Sequence, residues 1–119
     1  EGRTVGTTDE LREWALSLPE AVEEGHWGKR SYRVRGKIFA VEREDGVTVL
    51  LKTTKEQREA DTTLAPHIFR IPETFSHLAF ILVRMDLIDR DERAGRIEKA
   101  WRLAAPKSFA KLYPDRLLR

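Results

Sequence analysis

Apolar residues recur along this chain with two periods, and the switches between them mark its elements. Leu11, Trp14, Ala15 and Leu18 fall at helical spacing and give one apolar face. Thr7 with Glu10 has the spacing of a capping box, Asp9 and Glu10 sit where a helix dipole favours acids, and Pro19 ends the segment. From His26 to Lys52 the period drops to two. Tyr32 and Val34 alternate with Ser31, Arg33 and Arg35, and Arg35-Gly36 reads as a two-residue turn in which Gly36 supplies positive φ. The return strand is Lys37 to Arg43, which predicts Tyr32 opposite Phe39 and Val34 opposite Lys37.

A second turn falls at Glu44-Asp45-Gly46 and leaves two registers open. A two-residue Asp45-Gly46 loop sets Val41 against Leu50. A three-residue loop with Gly46 left-handed sets Val41 against Val49 and Phe39 against Leu51. The second is preferred, because it gathers Tyr32, Val34, Phe39, Val41, Val49 and Leu51 on one face. The opposite face then carries Arg33, Arg35, Ile38, Ala40, Glu42, Thr48, Leu50 and Lys52.

Thr53 with Glu56, or Thr54 with Gln57, caps a mostly polar surface helix that runs to about Leu64. Ile68–Ile71 reads as a short strand stopped by Pro72. Ala79–Met85 is apolar at every position but Arg84, the pattern of a central strand. Asp89 caps a last long helix with an inward stripe of Ala94, Ile97, Trp101 and Ala104. The order is α-β-β-β-α-β-β-α: an α+β domain with an antiparallel sheet of about five strands and helices packed on one face.

With 119 residues the chain has the size of one domain, read as a flexible lead over 1–8 and a single domain over 9–119. It has no cysteine, which excludes disulfides, thiolate nucleophiles and zinc–thiolate sites. The longest apolar run, Leu78–Val83, is far short of a membrane span. A cytoplasmic protein without membrane attachment is expected. Net charge is only +2, so any electrostatic function rests on how charge is distributed.

Lys29, Arg30, Arg33, Arg35 and Lys37 place five cations in nine residues with no acid among them, and Lys52 can join from the third strand. Such a wing can neutralise nucleic-acid phosphates, while Trp27, just before it, is placed to stack on a base. Charge on solvated edge strands also guards against aggregation. Ile38, Ala40 and Leu50, apolar on the expected outer face, suggest a surface for a protein partner or homodimer. No catalytic constellation stands out. The serines lack an elbow motif, Ser76-His77 is no triad, and the glycines form no phosphate loop. His26, His67 and His77 lack ligand spacing, so neither a metal nor a cofactor is expected.

Leu16-Ser-Leu-Pro-Glu-Ala, His26-Trp-Gly, Tyr32-Arg-Val-Arg-Gly-Lys-Ile-Phe-Ala, Val49-Leu-Leu-Lys and Ala100-Trp-Arg-Leu-Ala-Ala-Pro-Lys together resemble the MmcQ/YjbR family, over roughly residues 9–113. Many members carry Ser-Tyr where this chain has Ala100-Trp101. The resemblance implies a fold similar to the CyaY-like group and to a double-wing DNA-binding domain, and hence a DNA-binding or regulatory module. It also brings an iron-binding acidic ridge into question, through Asp9, Glu10, Glu13, Glu20, Glu23 and Glu24, although acids at a helix start satisfy its dipole without a metal. The reading is a non-enzymatic module whose basic hairpin contacts DNA. The alternative is a protein- or small-ligand-binding domain with neither nucleic-acid nor catalytic role.

Overall fold

The structure, a computed structural model, describes residues 7–26 and 28–118, the side chain of His26 excepted. The elements run α1 (Thr8–Ser17), β1 (Ala21–His26), β2 (Lys29–Val34), β3 (Lys37–Glu42), β4 (Thr48–Lys52), α2 (Lys55–Leu64), β5 (Phe69–Arg70), β6 (Phe80–Arg84), a 3-10 turn (Met85–Leu87), α3 (Arg90–Ala104) and α4 (Lys107–Ala110). Each of the three longer helices starts at a hydroxyl or carboxylate cap. Thr7 accepts from the Glu10 amide, Thr54 from Gln57 and Asp89 from Glu92, satisfying amides that a first helical turn leaves without partners.

The strands form one antiparallel sheet in the order β1-β2-β3-β4-β6-β5. It has six strands where about five were expected. The addition is β1, whose Val-Glu-Glu-Gly run carries too few apolar residues to announce a strand. Its pairing with β2 is regular over six residues, from Ala21 opposite Val34 to His26 opposite Lys29.

The β2–β3 turn is as expected, and both of its central residues are left-handed, Arg35 at φ 52° and Gly36 at φ 80°, the conformation that matches strand twist in a two-residue hairpin. Val34 faces Lys37 as expected, and Arg33 faces Ile38. Beyond them the ladder departs from the prediction. Tyr32 pairs with Ala40 rather than Phe39, because Phe39 is the extra residue of a β-bulge. The bulge turns both Phe39 and Ala40 into the core and reverses the alternation beyond it, so Val41 faces out and Glu42 faces in. The same reversal corrects the next register. Val41 pairs with Leu50 and Ala40 with Leu51, the pairing of the shorter loop, not the preferred Val41–Val49 and Phe39–Leu51. The prediction failed by assuming unbroken alternation through β3.

The core lies between the sheet and the helical layer, where Tyr32, Val34, Phe39, Val49, Leu51, Ile81 and Val83 meet Leu11, Ala15, Ile97 and Trp101. Trp101 donates its indole N–H to the Pro19 carbonyl at 3.0 Å and packs edge-on against Tyr113. Arg93 forks onto Glu10 at 2.7 and 3.1 Å, tying α3 to α1. Glu98, also buried, accepts the Leu117 and Leu118 amides and holds the last described residues against α3. The polar helix α2 is less peripheral than expected: its Arg58 and Asp61 are buried. No helix among the described residues is long and apolar enough to cross a membrane.

Candidate functional site

The pleat divides the six predicted phosphate contacts between two faces of the sheet. Arg30 shares the inner face with Tyr32. Its Nε lies 2.8 Å from Glu42, which also accepts the Tyr32 hydroxyl at 2.7 Å. The hydrogen bond from Arg30 to Glu42 raises the guanidinium pKa further. Burial, and then the hydrogen bond to Glu42, push the Tyr32 phenol far above its ordinary range, so it stays neutral and donating. Arg30 is therefore part of a polar network at the edge of the core.

On the other face β1 sets acids against the cations of β2. The Arg33 Nε lies 3.3 Å from Glu24, close enough for an ion pair, yet it is buried and makes no hydrogen bond. Lys29 lies 3.5 Å from Glu44. Arg35, at the turn, forks onto Glu20 at 2.5 and 3.2 Å and lies 4.5 Å above the Phe109 ring. The hydrogen bond from Arg35 holds the Glu20 carboxyl below its usual range. Four of the six cations thus have acidic partners. Lys37 and Lys52 have no carboxylate within 4.0 Å among the described residues, and neither does Arg70. The Lys52 ammonium instead lies 5.2 Å from the centroid of the Phe80 ring. Trp27 lies outside the described residues.

Three adjoining recesses run along the outer face of the sheet and round its edge. At one end, where the sheet's edge at the β2–β3 turn meets Leu103 and Ala104 of α3, Arg33, Lys37 and Lys52 border a space of about 390 Å³ with Ile38 and Phe80. In the middle Ile38, Val41, Leu50, Phe75, Leu78 and Phe80 line an apolar space of about 230 Å³. At the other end Lys29, Arg43 and Arg70 border about 600 Å³ over Val41, Leu50 and Leu82, with Glu73 as an acidic neighbour. The apolar floor is a ladder row, because Val41 faces Leu50, Leu50 faces Leu82 and Leu82 faces Arg70. Ile38 and Leu50 were expected on this face; Ala40 was not found there, being fully buried inside, and Val41 takes its place.

One wall of this groove is the segment between β5 and β6. Its Pro72 is buried, and Arg58 of α2 pins its far end by donating to the carbonyls of Ser76, Leu78 and Phe80 at 2.8–3.0 Å. Phe75, near the middle, has φ 61° and is 59% exposed. Sequence reading missed Val41, Arg43, Arg70 and this wall. Arg70 was legible as the polar position of a short strand, but nothing in the loop sequence marks Phe75.

Five of the six acids of that ridge are dispersed into ion pairs: Asp9 with Arg30, Glu10 with Arg93, Glu20 with Arg35, Glu23 with Arg12 and Glu24 with Arg33. Among the described residues no three His, Asp or Glu side chains are grouped to hold a metal ion. Ser17 and Ser31 donate their hydroxyls to the carbonyls of Trp14 and Glu24, an arrangement that activates neither as a nucleophile.

These features define a class: a small α+β domain built on a single antiparallel sheet, with helices on one face and a cation-ended apolar groove on the other. The chain belongs to the YjbR family, whose model matches residues 16–103. The fold is also that of protein DR2400 of Deinococcus radiodurans, a crystal structure with the DUF419 domain. The TM-score is 0.79 at 17% identity, covering 95% of this chain and 93% of that one. No curated protein matches the sequence.

Proposed function

We propose that the domain is a non-catalytic module that binds nucleic acid, and that it does so along the outer groove of the sheet rather than at the hairpin tip. The observation that carries this is the alternation along the groove: cations at Lys37 and Lys52, an apolar stretch over Ile38 and Leu50, and cations again at Lys29, Arg43 and Arg70. A chain of phosphates carrying flat apolar bases alternates in the same way. Arg33 and Arg35 are weaker candidates, because an incoming phosphate must displace Glu24 and Glu20; Lys29 and Arg43 share Glu44 at 3.5 and 3.8 Å, which leaves Arg70 as the cation of that end without a carboxylate partner among the described residues.

The test is fluorescence anisotropy with labelled single- and double-stranded oligonucleotides over a range of salt. Affinity is expected to fall log-linearly with salt, and Lys37→Ala/Lys52→Ala to reduce the slope by about 2, roughly one for each phosphate no longer neutralised. Failure of every oligonucleotide to bind at low salt would sink the reading. A second reading, a protein- or small-ligand-binding domain, draws on the apolar middle recess. Self-association seen by sedimentation and abolished by Leu50→Glu would favour this second reading, with a second copy of the chain as the partner.

A further inference from the structure

The wall of the groove carries a strained residue at its rim. Phe75 is a bulky residue in the left-handed region, where few non-glycine side chains are found. More than half of its surface stays exposed, and its aromatic partner among the described residues is His77, edge-on at 6.5 Å between centroids. The surrounding backbone holds it there. The Leu78 amide closes a turn onto the Phe75 carbonyl at 3.0 Å, and the buried Arg58 fixes the carbonyls of Ser76, Leu78 and Phe80. Strain kept in place by several independent bonds, at the rim of a recess, marks a residue held for contact.

We infer that the recess between Phe75 and the Ile38–Leu50 floor takes one unstacked nucleobase, so that the groove receives single-stranded rather than paired nucleic acid. The inference rests on the nucleic-acid reading above and names the form of its ligand. The recess is nearly all apolar and open on one side, which suits the faces of a base while leaving its polar edges in water. Every base offers such a face, so the pocket tolerates any sequence. In a duplex those faces are covered by neighbouring pairs. The cations at both ends of the recess, Lys52 on one side and Arg70 on the other, meet the phosphates that flank the inserted nucleotide.

The experiment compares wild type with Phe75→Ala and Phe75→Trp, using a single strand, the same strand made abasic, and the duplex. Single strand is expected to bind more tightly than duplex. Phe75→Ala is expected to weaken single-strand binding about five- to hundredfold without changing the salt slope, since the phenyl ring carries no charge. Phe75→Trp is expected to restore it. The abasic strand should bind wild type more weakly by a similar factor and Phe75→Ala only a little more weakly. Equal affinity of wild type and Phe75→Ala, or of normal and abasic strands, overturns the base pocket while leaving the nucleic-acid reading intact. Absence of binding by every oligonucleotide overturns both, as does capture of an acidic aromatic peptide where oligonucleotides fail. Retention of the wild-type melting temperature by Phe75→Ala assures that any weakening arises at the pocket and not from unfolding.

Discussion

At the scale of single residues, Phe75 and Arg58 divide strain from support. A non-glycine residue in the left-handed region costs of order 1 kcal/mol, and glycine relieves it while adding about 0.5–1 kcal/mol of unfolded-state freedom. Phe75→Gly should therefore leave the melting temperature unchanged or slightly raised. A fall of more than about 5 °C would mean that the ring supports the fold after all. Arg58 is the converse case. Its three hydrogen bonds to carbonyls are charge-assisted and it is buried, so Arg58→Ala is expected to cost about 2–3 kcal/mol in urea unfolding. Arg58→Lys should recover little of this, since an ammonium cannot reproduce the planar fork.

At the scale of elements, β1 decides how basic the hairpin is in practice. Its Glu24, and Glu20 just before it, answer cations that looked unopposed in sequence, because the acids lie a strand away in space. Glu20→Gln/Glu24→Gln should raise affinity for oligonucleotides a few-fold at low salt, an advantage that fades as salt screens the surface. The loop from β3 to β4 makes a separate pH prediction. Burial works against ionisation of Asp45, but hydrogen bonds from the Thr48 hydroxyl and the Thr48 and Val47 amides outweigh it and hold the carboxyl below its ordinary value. With the folded pKa depressed, the unfolded chain takes up its proton first as pH falls. The stabilisation is thus full above the unfolded value of about 3.9 and is lost below it, through the folded pKa. Thermal melts of wild type and Asp45→Asn should differ most near neutrality and converge in acid. The three longer helices were legible because each begins at a capping residue, and α1 and α3 also carry a readable apolar stripe. Neither β1 nor the bulge was, since an acid-rich edge strand lacks alternation and this bulge uses no glycine.

At the scale of the whole molecule, a net charge of +2 conceals a separation. Acids at the start of α1 and along β1 meet arginines close by, while Lys37, Lys52 and Arg70 are left on or beside the outer groove. The composition of the predicted site was thus partly visible in sequence: Lys29, Lys37, Lys52, Ile38 and Leu50 all reach the groove. Its shape was not. The groove needs a wall brought from the far side of β5, and only the three-dimensional path of the chain sets Phe75 over Leu50.

The bulge at Phe39 has a consequence for descent. Deleting one residue from the middle of a strand normally transposes its two faces. Here the pairs on either side, Arg33 with Ile38 and Tyr32 with Ala40, already keep the proper sides. Loss of the Phe39 codon would turn an irregular ladder into a regular one and leave the outer groove in place. The cost would fall on the core, about 3–5 kcal/mol for a missing phenyl group. A lineage that had filled that space from α3 could make the change without disturbing the outer face of the sheet.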